Sequence, residues 1–520
     1  MKSILTFSFF TFFILCSWGQ NCRVNIPVSS VVVGKNLIKK NEIEAVSYLF
    51  PEKIINCTTD KTTQRLMIEI CDNYESNNMI ARIGRTIMID RDRKIPMWDK
   101  KLDYLSERCE LINDRMIIYG FRNVFEIYDS NSAKLVFKSK QKVYGFLPKF
   151  NLLLAKYEDE LSSTSTRYIQ ALSLENGKEK WRKKISYKMT ACNQIQMVND
   201  STFSFESDGW EFCNISNGSG MTLRLETAKP NYTNAAIATV GLAAGLLTGT
   251  FFYPVGGSSQ IDGISSNLLS DSLNYYLAGK TELKSVDLKG NIRWGFELDK
   301  SKSSKSDLIN LDSLILMINR GYANYANNPT LCGKAFVTLY RKKDGKELAK
   351  IEFDDKKYIT DTHLKGDTLS VLIENKIINL NLHSLTKISE YDILLDKKES
   401  AREFTNPYNY GIIKNNKLEA ISGYCSERQF VSTSKGKVIE LSKTGKTENL
   451  LLKSDFYTFY KTIGSHKIYL KNEQGFIVDR NDQCIAFFET GESNIVVGNR
   501  IFSFSKNRLL DIDLTDVLEK

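Results

Sequence analysis

Histidine is scarce in this sequence. His363, His383 and His466 are the only three, and no two are close together. That scarcity argues against His-rich metal sites, and the missing Cys-x-x-Cys-His motif argues against covalent haem attachment. No Cys-x-x-Cys and no adjacent Cys pair occurs, so a thioredoxin-type redox site or a Cys-rich zinc site has no support. A Gly-x-Ser-x-Gly elbow, a phosphate loop and a His-Glu-x-x-His motif are also missing. No catalytic residue, cofactor ligand or metal ligand is therefore expected. Proline is limited to 8 and glycine to 30 of 520 residues, which excludes collagen-like and Pro-rich linker classes. Convincing helical periodicity is nearly absent. What is present is a hydrophobic share of 42% and a charged share of 25%, enough for a large core and too apolar for wholesale disorder.

The first twenty residues read as an address. Lys2 supplies a positive start, Ile4 to Leu15 is uncharged and Phe-rich, and Ser17-Trp18-Gly19 places small residues before a cut ahead of Gln20. This is the layout of a secretory signal peptide spanning 1–19, and the apolar run is short for a membrane anchor. A Gln at the new N-terminus resembles exported proteins of Bacteroidetes-type bacteria. Cys16 and Cys22 follow Leu15 and Asn21, so neither has the small residue a lipoprotein box wants. The protein is expected to be exported, and to be periplasmic, outer-membrane-associated or secreted. The net charge of +10 is spread among mixed-sign turns such as Asp354-Asp355-Lys356-Lys357, which gives nucleic acid no footprint.

Export permits disulfides. Cleavage would remove Cys16 and leave an odd number of cysteines. Two pairs are local in sequence, Cys57 with Cys71 and Cys192 with Cys213. Each is open to two readings, a disulfide or a pair of buried free thiols.

Residues 20–520 read as short alternating strands separated by turn residues. The clearest unit runs from Tyr168 through Asn176-Gly177 to Trp181, a strand, a tight turn and a second strand. A second copy runs from Leu283 through Asp287 and Gly290 to Trp294. Both place Trp four residues after the turn Gly. Weaker copies carry turn markers at Asn131, Gly218, Gly345, Ser384, Gly445 and Asp482, and Asp92 marks one more candidate hairpin. The spacing returns to a period of about forty residues, that of a four-stranded propeller blade. The expectation is an all-β fold, a single β-propeller of about seven or eight four-stranded blades. The C-terminal run Asn494 to Leu514 would lie beside Val28 to Val33 and close the ring.

Ala171-x-Ser173-x-x-Asn176-Gly177-x-x-x-Trp181 resembles the docking motif of pyrroloquinoline-quinone-like, or quinoprotein-like, propellers. Ser285-x-Asp287-x-x-Gly290-x-x-x-Trp294 is similar, with its turn one residue shorter. The resemblance implies that each Trp stacks on a turn of the neighbouring blade and staples the two. It also raises an alternative function, a quinone-dependent dehydrogenase, against which the missing adjacent Cys pair counts. The Asp90-Arg91-Asp92 and Asp511-x-Asp513-x-x-Asp516 clusters lack calcium-loop spacing and read as charged turns. The favoured expectation is an exported, non-catalytic scaffold that binds a protein partner in the cell envelope. Its role resembles that of the propeller lipoprotein of the outer-membrane barrel-assembly machinery.

One stretch stands apart. Residues 229–262 read as an insertion between blades, uncharged after Lys229 and before Asp262, with Gly241, Gly245 and Gly249 recurring every four residues. Three readings are open. The insert packs on or plugs the propeller, it docks residues 233–257 on a membrane or an apolar partner, or it spans a bilayer.

Overall fold

The computed structural model describes residues 22 and 24–519, apart from 60–63, 72–82, 105, 121–123, 158–167, 186–192, 207–208, 226–228, 231–259, 262–264, 326–327, 355, 406–409, 421–428, 443–446, 453–456 and 472. The signal-peptide segment 1–19, Cys192, and Gly241, Gly245 and Gly249 of the insert lie outside the described residues.

Short strands pair antiparallel with their sequence neighbours, so the chain lays down one four-stranded meander after another; middle strands such as Leu314–Asn319 are buried on both faces, while outer strands such as Ile292–Glu297 are partly exposed. Eight of these are separate sheets: residues 53–103, 107–139, 143–184, 193–224, 269–297, 306–352, 359–392 and 401–452, named blades 1 to 8. They match the upper figure expected from the sequence. An 11-stranded sheet contains two more meanders. Blade 9 is residues 457–489. Blade 10 takes three strands from residues 493–513 and its fourth from the other end of the chain. The total is therefore ten units, two beyond the expected range.

The closing strand is β2 (Glu42–Leu49), which pairs with Arg508–Asp513 in the register Tyr48↔Leu509. The sequence pattern puts the strand before it, β1 (Val28–Asn36), in that place. It instead pairs with the far edge of β2 and touches the last strand of blade 9 at Gly34↔Phe488.

Buried clusters join the meanders face to face. Ile68 and Ile87 of blade 1 pack with Phe502 and Leu509 of blade 10. Met67 and Trp98 pack with Cys109 and Met116, joining blades 1 and 2. Ile117 with Leu153 continues the series, followed by Ile169 with Phe203, Trp210 with Tyr275, Tyr276 with Ile315, Val337 with Val371, and Ile377 with Val431. A hairpin inserted in blade 8, Tyr410–Lys414 and Lys417–Ala420, fills the joint with blade 9. Tyr410 packs on Phe430 and Val438, while Leu418 packs on Tyr469 and Val478. Ile468 with Ile501 and Ile512 then joins blades 9 and 10. Each sheet buries both faces against its neighbours, and the series returns to its start. The chain is a β-propeller. Among the described residues, no helix is long and apolar enough to cross a membrane.

The proposed bond between Cys57 and Cys71 is absent, and both thiols are free and buried. Register gives the reason. Cys57 stands opposite Ile68, and Cys71 lies three residues beyond Ile68 on the same strand. An odd offset on a pleated strand puts the two side chains on opposite faces of the sheet. Cys213 is likewise free and buried.

Candidate interaction rim

The hairpin between the third and fourth strands of each blade sets how blades meet. In blade 3 the Gly177 N–H donates to Ser173 O at 2.8 Å, and the same bond recurs as Gly218 to Asn214 and Gly345 to Arg341. Gly177, Gly218 and Gly345 hold φ near +70°, which suits glycine because no Cβ crowds the carbonyl. A polar side chain at the strand end caps the turn. Ser173 Oγ accepts from Glu175 N, and Asp287 Oδ1 accepts from Lys289 N and Asn291 N. A register shift follows in blade after blade, between Ala171 and Leu172 and between Ser285 and Val286 among others.

The side chain four residues after the turn residue then reaches the next blade. Trp181 Nε1 donates to Ile215 O of blade 4 at 2.7 Å, and its ring lies where a Cβ on Gly218 would sit, 2.5 Å away. Trp294 Nε1 donates to Lys342 O of blade 6 at 2.7 Å, over Gly345. Ala171, directly opposite Trp181, is fully buried. Trp181 is buried and Trp294 half-buried. Sequence reading missed two further members. Trp98 Nε1 donates to Ser130 O of blade 2, and Phe137 sits over Gly177. Met221 occupies a related place against Gly290.

This repeated joint orients all blades alike, so connections sort onto two rims. Turns from first to second and from third to fourth strand share one rim. Connections from second to third strand and from blade to blade share the other. The first rim is mostly tight turns, such as Ile112 to Arg115 and Leu311 to Leu314. The second carries the long spans: Cys71 to Ile83, Tyr157 to Tyr168, Lys184 to Asn193, Arg224 to Leu269, and Asn319 to Phe336. The last of these contains a hairpin, Tyr322–Tyr325 with Asn328–Leu331. The neck of the insert, Lys229–Pro230 paired with Gln260–Ile261, stands on this rim with its second strand against that hairpin.

The base of the hairpin is tied by hydrogen bonds and ion pairs. Asn319, 1% exposed, donates from Nδ2 to Lys302 O at 2.8 Å and to Lys334 O at 2.6 Å. The ammonium groups of Lys302, Lys334 and Lys350 converge on the Glu352 carboxylate at 2.8, 3.1 and 2.9 Å. Hydrogen bonds from Lys302 and Lys350 outweigh desolvation and hold Glu352 down to about 2.

The two acidic clusters are taken by arginine. Asp90 pairs with Arg65 at 2.8 Å, while Asp511 and Asp513 pair with Arg500 at 2.9 and 2.6 Å. Among the described residues, no three His, Cys, Asp or Glu side chains gather as a metal site would need.

No family model matches the chain, and no curated protein matches it. Among solved structures it is similar to BamB from Moraxella catarrhalis, at 10% identity over 73% of this chain and 96% of that one, with a TM-score of 0.31. It is also similar to the C-terminal WD40 domain of Sif2, at 10% identity over 78% and 96%, with a TM-score of 0.29. The computationally designed Ika8 protein gives 9% identity over 78% and 96%, with a TM-score of 0.28. The propeller assignment rests on strand order and on the closed series of packed faces, not on these likenesses.

Proposed function

We propose that the chain is an exported, non-catalytic scaffold, a quinoprotein-like propeller that holds a protein partner of the cell envelope on its long-connection rim. The observation that carries this reading is the asymmetry of the two rims. One carries short turns except on blade 8, where Phe404 to Gln429 runs through the inserted hairpin, while the other concentrates extended connections on blades 1 and 3 to 6. The neck of the insert rises from that same rim. Residues 233–257 would therefore be presented beside the other long connections, suited to peripheral contact with a membrane or an apolar partner surface.

The test uses the full exported chain as bait in envelope extract, beside a variant with residues 322–331 replaced by a short Gly-Ser link and one with turn substitutions on the opposite rim. The reading expects a partner retained by wild type and by the opposite-rim variant and lost by the hairpin variant. Equal capture by all three contradicts it. So does quinone-dependent substrate oxidation by the reconstituted protein.

A further inference from the structure

The 11-stranded sheet forks. β1 touches the last strand of blade 9 only at Gly34, Lys35 and Asn36, opposite Phe488, Phe487 and Ala486. Gly34 permits that approach, because a Cβ there would collide with Phe487 O. Before Gly34, β1 pairs with β2 alone. Among the described residues, the other edge of Val28–Val33 carries no strand. The fork opens into a cavity of about 510 Å³ walled by Val32, Val33, Phe476, Phe487 and Phe488. A second cavity of about 340 Å³ shares Gln474 and Glu489 with it and runs on past Glu473, Thr490 and Arg508.

Three features make this more than a crevice. The free edge reads Val-Ser-Ser-Val-Val-Val, without the Lys, Pro or inward charge that normally guards an edge strand. Val32 is 53% exposed and Phe487 42%, so apolar surface faces solvent beside unpaired backbone groups. Thr490, 6% exposed, lines the polar cavity with a buried hydroxyl that has no hydrogen-bond partner among the described residues.

Charge narrows the occupant. Lys35, Lys40, Glu42 and Glu489 line the apolar cavity, and Glu473, Glu489 and Arg508 the polar one, where the two carboxylates outnumber the single guanidinium. Glu473 and Glu489 have no ion-pair partner among the described residues. An extended backbone would satisfy the strand edge, an apolar side chain would cover Val32 and Phe487, and a cation would answer Glu473 and Glu489.

We propose that the fork between β1 and blade 9 is a receptor for an extended segment of a partner protein. The segment adds as a strand to Val28–Val33, places an apolar residue on Phe487 and sets a Lys or Arg against Glu473 and Glu489. The site stands on the same rim, between blades 9 and 10, and uses none of the long connections of blades 1 and 3 to 6.

The test titrates full-length protein with two fluorescent decapeptides of alternating Val and Thr around a central Phe. One ends in Lys and the other in Glu. Binding is read by anisotropy, and amide protection at residues 28–33 by hydrogen exchange. The Lys peptide should bind roughly tenfold tighter than the Glu peptide and protect those amides. Glu473→Lys with Glu489→Lys should invert the preference, and Phe487→Lys should abolish binding with an unchanged melting curve. Three results overturn the proposal: neither peptide binds, binding survives Phe487→Lys, or the protein alone sediments as a dimer that Phe487→Lys dissociates. The last would assign the edge to a second copy. Loss of the rim partner by the hairpin variant would leave these readings unchanged, so the two sites fail separately.

Discussion

Trp181 and Gly218 share one space: the indole of blade 3 lies 2.5 Å from where a Cβ on the blade 4 glycine would stand, and its N–H donates to Ile215 O. Trp181→Ala should empty that space and cost ~3–5 kcal/mol, as large aromatic truncations in cores do. Gly218→Ala should fail for the complementary reason, since the methyl meets the ring and φ is +71°. Gly366→Ala serves as the control. Its φ is also positive, but nothing lies within 4 Å, so backbone strain alone of about 1 kcal/mol is expected. Chemical denaturation of the three variants checks the order. A Trp181→Ala midpoint equal to wild type would contradict the staple.

The thiols give a second expectation. Burial pushes Cys213 up to about 12 and Cys484 up to about 11, and raises Cys57 and Cys109 as well. Of the described cysteines only Cys22 is partly exposed. Among the described cysteines, native protein treated with a thiol reagent should react there first, and Cys57 and Cys71 should react only on unfolding. Reductant should leave the melting curve unmoved. A mapped peptide joining Cys57 to Cys71 would refute the register argument.

Acid sensitivity follows from Glu352. Its carboxylate is held down to about 2 from an ordinary 4.5 by Lys302, Lys350 and Lys334. A depressed carboxylate contributes stability that is complete above 4.5 and lost as pH falls towards about 2. Lys302→Ala should raise the titration of Glu352 and narrow that window. An NMR titration of Glu352 near its ordinary value in the wild type would contradict the convergence of the three lysines.

Glu69 carries the opposite sign. Burial raises it against hydrogen bonds from Asn56 and Tyr104. The protonated form is favoured in the folded state, so its contribution is complete below 4.5 and fades as pH rises through the folded value. Glu69→Gln keeps an acceptor for Asn56 Nδ2 and removes the charge. The variant should melt higher than wild type at pH 7 and equal to it in acid. A lower melting point at pH 7 would show that the carboxylate is needed ionised.

The turn markers show how much of the fold was legible. Asn131, Gly177, Gly218, Gly290, Gly345, Ser384 and Asp482 fall in connections between third and fourth strands, one each for blades 2 to 7 and blade 9, while Gly445 lies outside the described residues. Asp92 lies in the matching turn of blade 1. Blade 10 left no marker because its third and fourth strands come from opposite ends of the chain and no turn joins them. The missed joints have a related cause. Trp98 and Phe137 also follow a left-handed turn residue by four positions, but that residue is Lys94 at φ 57° or Ala133 at φ 55°. A reading keyed to Gly and Asn cannot see a lysine or alanine held in that region by the surrounding sheet. The fork at Gly34 was invisible for a simpler reason. It depends on the contact between residues 34 and 488, which no local pattern encodes.

The most direct measurement of the account is electron cryomicroscopy of the full-length protein, with class averages viewed along the propeller axis. The account predicts ten spokes in a closed ring, with the tenth containing β2 beside Arg508–Asp513. Seven or eight spokes, or an open arc with β2 away from that strand, would contradict it.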